Sequence, residues 1–303
     1  MRLQYSYMRP ITFIDRRTGE QITESPPGEG FLKFLYYHPF GKLALHALVK
    51  RKLLSALYGR LMSRAASARD IAPFVARYGI DMSEAEREVS AYRSFNDFFY
   101  RKLKPAARPL GEGFVSPADG KLVAFEHVDA WRSFFVKGEP FTLARYLRDE
   151  HLASQFEQAS LLVLRLAPND YHRFHFPCEG RAAAPVRIRG AYFSVSPYAV
   201  RENFARVFCE NKRSYTLLDT PDFGQVLISP VGATMVGSIV ETYPFGSTVA
   251  KGDEMGYFAF GGSSLLLLID RRRIQLAADL LENTRQGLET AVRMGETIGQ
   301  PQR

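Results

Sequence analysis

From residue 111 onward the chain is written as short runs of Val, Ile, Phe and Leu set between Gly, Pro and Asp. That is the pattern of strands joined by tight turns. The runs predict strands at 121–128, 161–166, 186–195, 215–218, 225–228, 234–243, 254–260 and 264–270, with helices at 143–148 and 276–283. Upstream the period changes. Leu45, Leu48, Leu53, Leu57 and Leu61 recur at roughly helical spacing. A short helix is expected over 70–77, where Gly79 can end it. Ser83-Glu84-Ala85-Glu86 has capping-box spacing, and Ser94 can open a further helix through Phe98, Phe99 and Tyr100. Pro105 and Pro109 close this region. Residues 1 to 30 read as irregular, with a turn at Arg16 to Glu20 and a linker at Pro26-Pro27-Gly28. Helices first and strands afterwards give an α+β fold: a mostly helical region over 1–105, then a largely antiparallel β domain over 106–303.

Charge adds a location to the helical part. The 303 residues carry a formal net charge of +8. Between 31 and 64 lie Lys33, Lys42, Lys50, Arg51, Lys52, Arg60 and Arg64, with no Asp or Glu. Phe31, Phe34, Tyr36, Tyr37 and Phe40 open the same stretch. A leucine face, a basic face and interfacial aromatics describe a helix lying in an anionic membrane surface. A solvated basic helix packed by its leucines is the competing reading. No nucleic-acid motif accompanies the charge, so no nucleic-acid partner is expected. Two cysteines, Cys178 and Cys209, exclude a disulfide framework and a cysteine-rich zinc site. No secretory signal and no run of about 18 uncharged apolar residues is seen, so the expected place is peripheral, on the cytoplasmic side of the cell membrane.

Three short stretches could carry chemistry. Gly261-Gly262-Ser263-Ser264 sits between two apolar runs. Alone it reads as a hairpin turn or bulge. It also places a serine hydroxyl beside the carbonyl carbon of an unhindered glycine. Ser116-Pro117-Ala118-Asp119-Gly120 puts one carboxylate in a Pro/Gly-framed turn, where an Asx-turn is the ordinary outcome. Between Pro168 and Pro177 lie His172 and His175, two of only six histidines. On a helix they would share a face; on a strand they would point oppositely. They could handle protons near neutral pH. A metal pair lacks a third ligand at recognisable spacing, so no metal is expected. Asp, His and Ser on separate loops are also the parts of a charge-relay triad, although no G-x-S-x-G elbow is present.

With these stretches in order the chain resembles the phosphatidylserine decarboxylase proenzyme family. The resemblance rests on 116–120, on Asp170-Tyr171-His172-Arg173-Phe174-His175, on 231–239, on Lys251-Gly252-Asp253-Glu254-Met255-Gly256-Tyr257-Phe258 and on 261–264. Ser94-Phe95-Asn96-Asp97-Phe98-Phe99 and Phe193-Ser194-Val195 fit as well. It covers about 92 to 300; residues 1 to 90 match only in character. Ser264 stands where Thr is commoner, and the double glycine resembles one branch of the family.

The resemblance implies a self-processing, pyruvoyl-dependent lyase. Cleavage between Gly262 and Ser263 would leave a large β chain, 1–262, and a small α chain, 263–303. Asp119, His175 and Ser263 match the family's self-cleavage triad. His172 matches a residue of the decarboxylation step, and Phe193, Ser194 and Val195 match a substrate-contacting stretch. Ser263 Oγ would attack the Gly262 carbonyl, and the resulting ester would eliminate to dehydroalanine and hydrolyse to a pyruvoyl cap and ammonia. Phosphatidylserine would then form a Schiff base with that ketone, lose CO2 and take a proton from His172, giving phosphatidylethanolamine. No external cofactor is implied. Expected partners are phosphatidylserine in an anionic membrane and the two chains of the same proenzyme, with a homodimer left open. Two other readings stay open at this point: a serine hydrolase using Asp119, His175 and Ser263 on an outside substrate, and a non-catalytic membrane-surface protein.

Overall fold

The computed structural model describes residues 11–24, 30, 59–130, 141–191, 193–195, 197–232, 239–259, 261 and 263–302. The described part of the molecule is mostly sheet with few helices. In chain order the first strands are β1 (Ile11–Asp15), β2 (Gln21–Glu24), β3 (Phe114–Val115), β4 (Gly120–Phe125), β5 (Ala159–Leu166) and β6 (Arg173–His175). Next come β7 (Gly180–Ala182), β8 (Val186–Ile188), β9 (Arg213–Thr220), β10 (Gly224–Gly232), β11 (Ile239–Glu241) and β12 (Thr248–Val249). The last are β13 (Glu254–Phe258), β14 (Ser263–Asp270), β15 (Ile274–Leu276), β16 (Glu289–Val292) and β17 (Thr297–Pro301). One large sheet runs in the order β12-β7-β9-β10-β14-β5-β4-β16-β1-β2, with β8 also on β9. Its pairings are antiparallel except β1 with β16. Two three-stranded sheets, β11-β13-β6 and β15-β17-β3, complete the β body.

The centre of the large sheet follows from two continuous apolar runs. Leu265 to Ile269 on β14 and Leu161 to Leu164 on β5 are buried along their whole length. Such runs suit strands covered on both faces, where no position needs a polar side chain. Each fully buried leucine or isoleucine contributes about 1.5–3 kcal/mol before entropy is charged against it. A helix over Ala278–Arg285 packs on β4, and its Thr284 Oγ1 accepts the Ala124 N–H at 3.0 Å, beyond the last β4–β16 pair.

Residues 59–104 build a smaller core of their own. A helix over Ile71–Tyr78 ends at Gly79, and another over Phe95–Phe99 is opened by Ser94 Oγ, which accepts the Asp97 N–H at 3.2 Å. Ile71, Tyr92, Phe95, Phe98 and Phe99 close that core.

Several expectations change. Residues 1 to 30 are not irregular throughout: Ile11 and Phe13 turn inward on β1, which pairs with β16 near the other end of the chain. The strand expected over 186–195 stops at Ile188. Beyond it the Asn211 side chain takes both backbone groups of Phe193, accepting its N–H at 2.6 Å and donating to its carbonyl at 2.8 Å, in place of a strand partner. A helix over Pro197–Glu210 was not expected, although Val200, Phe204, Val207 and Phe208 have helical spacing. Of the basic helix expected over 31–64, residues 31–58 lie outside the described residues; 59–62 are helical. No helix among the described residues is long and apolar enough to cross a membrane.

The first strands are tied to the centre by one cation. Arg165 on β5 is buried and donates to Glu24 on β2 (3.0 and 2.5 Å) and to Glu289 on β16 (3.0 and 2.5 Å). Removing the guanidinium would leave two half-buried carboxylates without their shared cation. Arg165→Ala should therefore destabilise the chain by about 3–5 kcal/mol in urea unfolding, and a loss below about 1 kcal/mol would show that the clamp is solvent-screened.

Candidate active site

β5 and β14 pair up to Leu166 and Ser263 and then part. They rejoin as β6 and β13, where Phe258 N–H donates to the His172 carbonyl at 2.9 Å and Arg173 faces Tyr257. The ladder is open between the Leu166–Ser263 pair and the Phe258–His172 bond. Phe260 and Gly262 lie outside the described residues. Gly261 has φ 137°, a region that favours glycine, so the first glycine of the pair answers a backbone demand.

Ser263 stands at the edge of the opening, as the first residue of β14. It is 0% exposed, and its Oγ has no hydrogen-bond partner among the described residues. Ser264 Oγ is in the same condition. An unpaired buried hydroxyl is costly, and native structures keep few of them.

His172 stands where the ladder rejoins. Its Nδ1 lies 2.9 Å from the Asp170 carbonyl, which can only accept, so Nδ1 carries the proton. Nε2 is then a bare lone pair, buried and without a partner among the described residues. The Phe99 ring lies 3.8 Å away, centroid to centroid. Burial pushes the imidazole down to about 3, so it is neutral at physiological pH. The segment that presents it is held from behind. Asp170 takes Lys121 Nζ at 2.9 Å and the Ala167 N–H at 2.7 Å, and Arg101 reaches the Asn169 carbonyl at 3.3 Å.

His175, three residues on, sits in β6 and has different surroundings, as strand alternation requires. Its Nδ1 donates to the Gly252 carbonyl at 2.9 Å, and its Nε2 accepts from Tyr171 OH at 3.0 Å. Burial lowers this imidazole too. Gly252 can offer that carbonyl because the 250–253 turn takes it to φ 85°. A Cβ there would meet Leu110 Cδ1 at 2.6 Å.

Asp119 neither makes an Asx-turn nor touches His175. Arg108 donates to it through Nε (2.9 and 3.2 Å) and Nη2 (2.6 Å), and the Met294 N–H adds a further bond at 2.8 Å. It lies at the same end of the sheet as the other two residues. His175 N–H donates to the Pro117 carbonyl at 2.8 Å. Lys121 on β4 faces Arg165, and Ser263 on β14 faces Leu166, so the residue-119 end of β4 and Ser263 flank the same end of β5. Two strand spacings make the backbones roughly 10 Å apart. Among the described residues no hydrogen bond joins Asp119, His175 and Ser263. Phe193 and Val195 are buried near the row in which Gly232, opposite Ser263, donates to the Lys212 carbonyl and Lys212 donates to Ala191. The sequence alone did not reveal Arg108, Tyr171 as a histidine partner, or the Phe99 ring tilted against His172. Nothing in spacing marks an arginine eleven residues from its carboxylate. Phe99 and Tyr171 did stand inside quoted motifs.

A β body that buries a serine and an imidazole, each with a polar atom unpartnered among the described residues, is the class of protein that this fold and site define. Residues 95–300 match the phosphatidylserine decarboxylase family. A phosphatidylserine decarboxylase proenzyme of Fusobacterium nucleatum is 50% identical over 292 residues, covering 95% of this chain and 97% of the relative. Proenzymes of the same description from Desulfitobacterium hafniense (42% over 292 residues, 95% and 98%) and Chlamydia pneumoniae (43% over 299 residues, 98% and 99%) are also similar. The chain belongs to the phosphatidylserine decarboxylase family.

Burial of His172 has a pH signature. Unfolded histidine titrates near 6.5. With the folded value depressed, the unfolded chain binds the extra proton below about 6.5. The stabilisation is complete above that pH and is lost as pH falls toward 3. His172→Phe should flatten the fall in urea-unfolding stability between pH 7 and pH 5, by up to about 1.4 kcal/mol per pH step for one proton. An unchanged slope would mean that His172 is not held neutral in the folded chain.

Proposed function

We propose that this chain is a self-processing, pyruvoyl-dependent decarboxylase that converts phosphatidylserine to phosphatidylethanolamine and CO2 at a membrane surface. The single observation that carries the reading is Ser263: fully buried, first on its strand, and with a hydroxyl that no other group claims. In the uncut chain an outside substrate does not reach a serine with 0% exposure, which weighs against a serine hydrolase; in the decarboxylase reading scission beside Ser263 comes first, and the substrate meets the new terminus only afterwards. The adjoining peptide bond is within the serine's own covalent reach.

In this reading Ser263 Oγ adds to the Gly262 carbonyl carbon as its proton leaves toward His175. The Gly262–Ser263 C–N bond breaks, and the proton passes to the released amine, leaving an ester. Loss of the Ser263 Cα proton breaks the Cβ–O bond and frees a Gly262 carboxylate. Water then replaces the nitrogen as ammonia. The products are 1–262 and 263–303, the latter 303 − 262 = 41 residues long. Ser263 suits this fate because its strand neighbours, Leu166 and Gly232, hold both flanks of the new terminus through the ladder. A pyruvoyl group there supplies the electron sink on which a decarboxylation of an amino acid headgroup depends.

The proton handlers follow from their partners. The Gly252 carbonyl fixes the His175 tautomer so that Nε2 is the basic atom. Tyr171 OH occupies that atom, so His175 either releases the phenol or passes the proton through it. Asp119 is proposed to support the histidine's positive charge after leaving Arg108. His172 keeps an unspent lone pair that can hold a proton and return it at the substrate Cα. Phe193, Ser194 and Val195 are proposed substrate contacts. We assign membrane association to the basic stretch 31–64 within a mostly helical 1–105 and decarboxylation to 106–303, joined in its sheet by residues 11–24. The cytoplasmic face and a homodimer belong to the same proposal.

Intact mass and a denaturing gel test it. The wild-type chain should appear as two pieces, with the small one lacking the mass of ammonia. Ser263→Ala and His175→Ala should stay whole; a cut Ser263→Ala chain would sink the mechanism. His172→Ala should still be cut but release CO2 about 10²–10⁴-fold more slowly.

A further inference from the structure

A cavity of about 310 Å³ lies against the segment that presents His172. Asn169, Asp170 and Tyr171 line it, together with Arg101, Arg108 and Lys121. His172, His175 and Ser263 are not part of its wall. Its cations are nearly all spoken for. Arg108 is paired with Asp119 and Glu84 (2.6 and 2.9 Å), and Lys121 with Asp170 (2.9 Å). Arg293 reaches Glu84 at 3.0 Å, and Arg17 reaches Asp15 at 3.0 Å. Asp81, the remaining acid of the wall, is exposed and caps Ser83.

Arg101 is the exception. It is 5% exposed, yet among the described residues it makes one hydrogen bond, to the Asn169 carbonyl at 3.3 Å, and no ion pair. The Phe98 ring lies 4.9 Å beneath its guanidinium. A guanidinium carries five donors in a planar fork and stays charged when buried. The carboxylates nearest in effect, Asp119 and Asp170, are already paired with Arg108 and Lys121, and a buried cation without an ion pair of its own is costly. Burial disfavours its charge here, in the direction an unfilled anion site would produce.

We infer that this cavity is a binding site for an oxyanion of the phosphate class, anchored by the Arg101 guanidinium. The fork matches two oxygens of one phosphate. The volume exceeds that of a lone phosphate and leaves room for one substituent. A phospholipid headgroup and free inorganic phosphate both offer this chemistry. Only the headgroup source rests on the decarboxylase reading; binding itself does not depend on scission or CO2 release. An occupant competes with the Asn169 carbonyl for Arg101, and so acts on the segment that ends in His172.

The test is calorimetric titration of the purified full chain with inorganic phosphate and, separately, with glycerophosphoserine. Saturable binding of either, weakened about tenfold or more in Arg101→Gln, supports the site. Phosphate binding assigns it to the free anion, and binding of glycerophosphoserine alone assigns it to the headgroup. No binding of either by the wild-type chain at about 10 mM overturns it, as does undiminished binding by a folded Arg101→Gln. Arg101→Lys keeps the charge but not the fork and should bind with intermediate strength. Should neither variant fold, crystals of the wild-type chain soaked in tungstate decide: an anomalous peak beside Arg101 supports the site, and an empty cavity overturns it.

Discussion

Two strands that pair, part and pair again are the constraint on which the rest depends. Inside a sheet every backbone group has a partner, and a polar side chain is tolerated only with one. Where β5 and β14 separate, that rule is relaxed locally. Ser263 Oγ and His172 Nε2 flank that gap without a partner among the described residues, and Ser264 Oγ, one residue into the paired ladder, lacks one too. The opening can exist because both sides of it are held elsewhere. The leucine runs fix one end, and the Phe258–His172 and Tyr257–Arg173 pairings fix the other.

Buried cations extend the same logic outward. Arg165 holds the N-terminal strands to the centre, Lys121 and Arg101 back the segment carrying His172, and Arg108 occupies Asp119. The helical core over 59–104 is part of this support, since the Phe99 ring packs against His172 at a tilt and Arg101 follows two residues later. A region set apart by its periodicity thus supplies two of the groups that shape the site. Tyr171 places a neutral donor on His175 and Arg108 places a cation on Asp119, so the imidazole and the carboxylate are held in separate contacts.

Much of the β body was legible from hydrophobic runs alone. Strands at Gly120–Phe125, Ala159–Leu166, Arg213–Thr220, Gly224–Gly232, Glu254–Phe258 and Ser263–Asp270 each contain or closely overlap an expected run. Failures came where local pattern was overruled from a distance. The Asn211 side chain replaces a strand partner for Phe193, and β1 takes its identity from β16. The helix over Pro197–Glu210 carried a readable apolar spacing among polar residues that the strand-rich context obscured. The family was carried by motifs in order, and the match over 95–300 agrees with the extent read from them.

The amino-acid order by itself determined which residues could react: one serine behind two glycines, two histidines three apart, one carboxylate in a turn. It also determined the long strands at the centre of the large sheet, because a period of two and an unbroken apolar run are local properties; the short strands around them were not legible in this way. Which partner each reactive group holds was decided only by tertiary structure. Hydrogen bonds to Gly252, Tyr171, Asp170 and Arg108 join residues up to 77 positions apart, and burial of the imidazoles exists only once the strands have closed around them. Tautomer, charge state and unspent lone pairs are properties of an environment, and the environment is made by the fold.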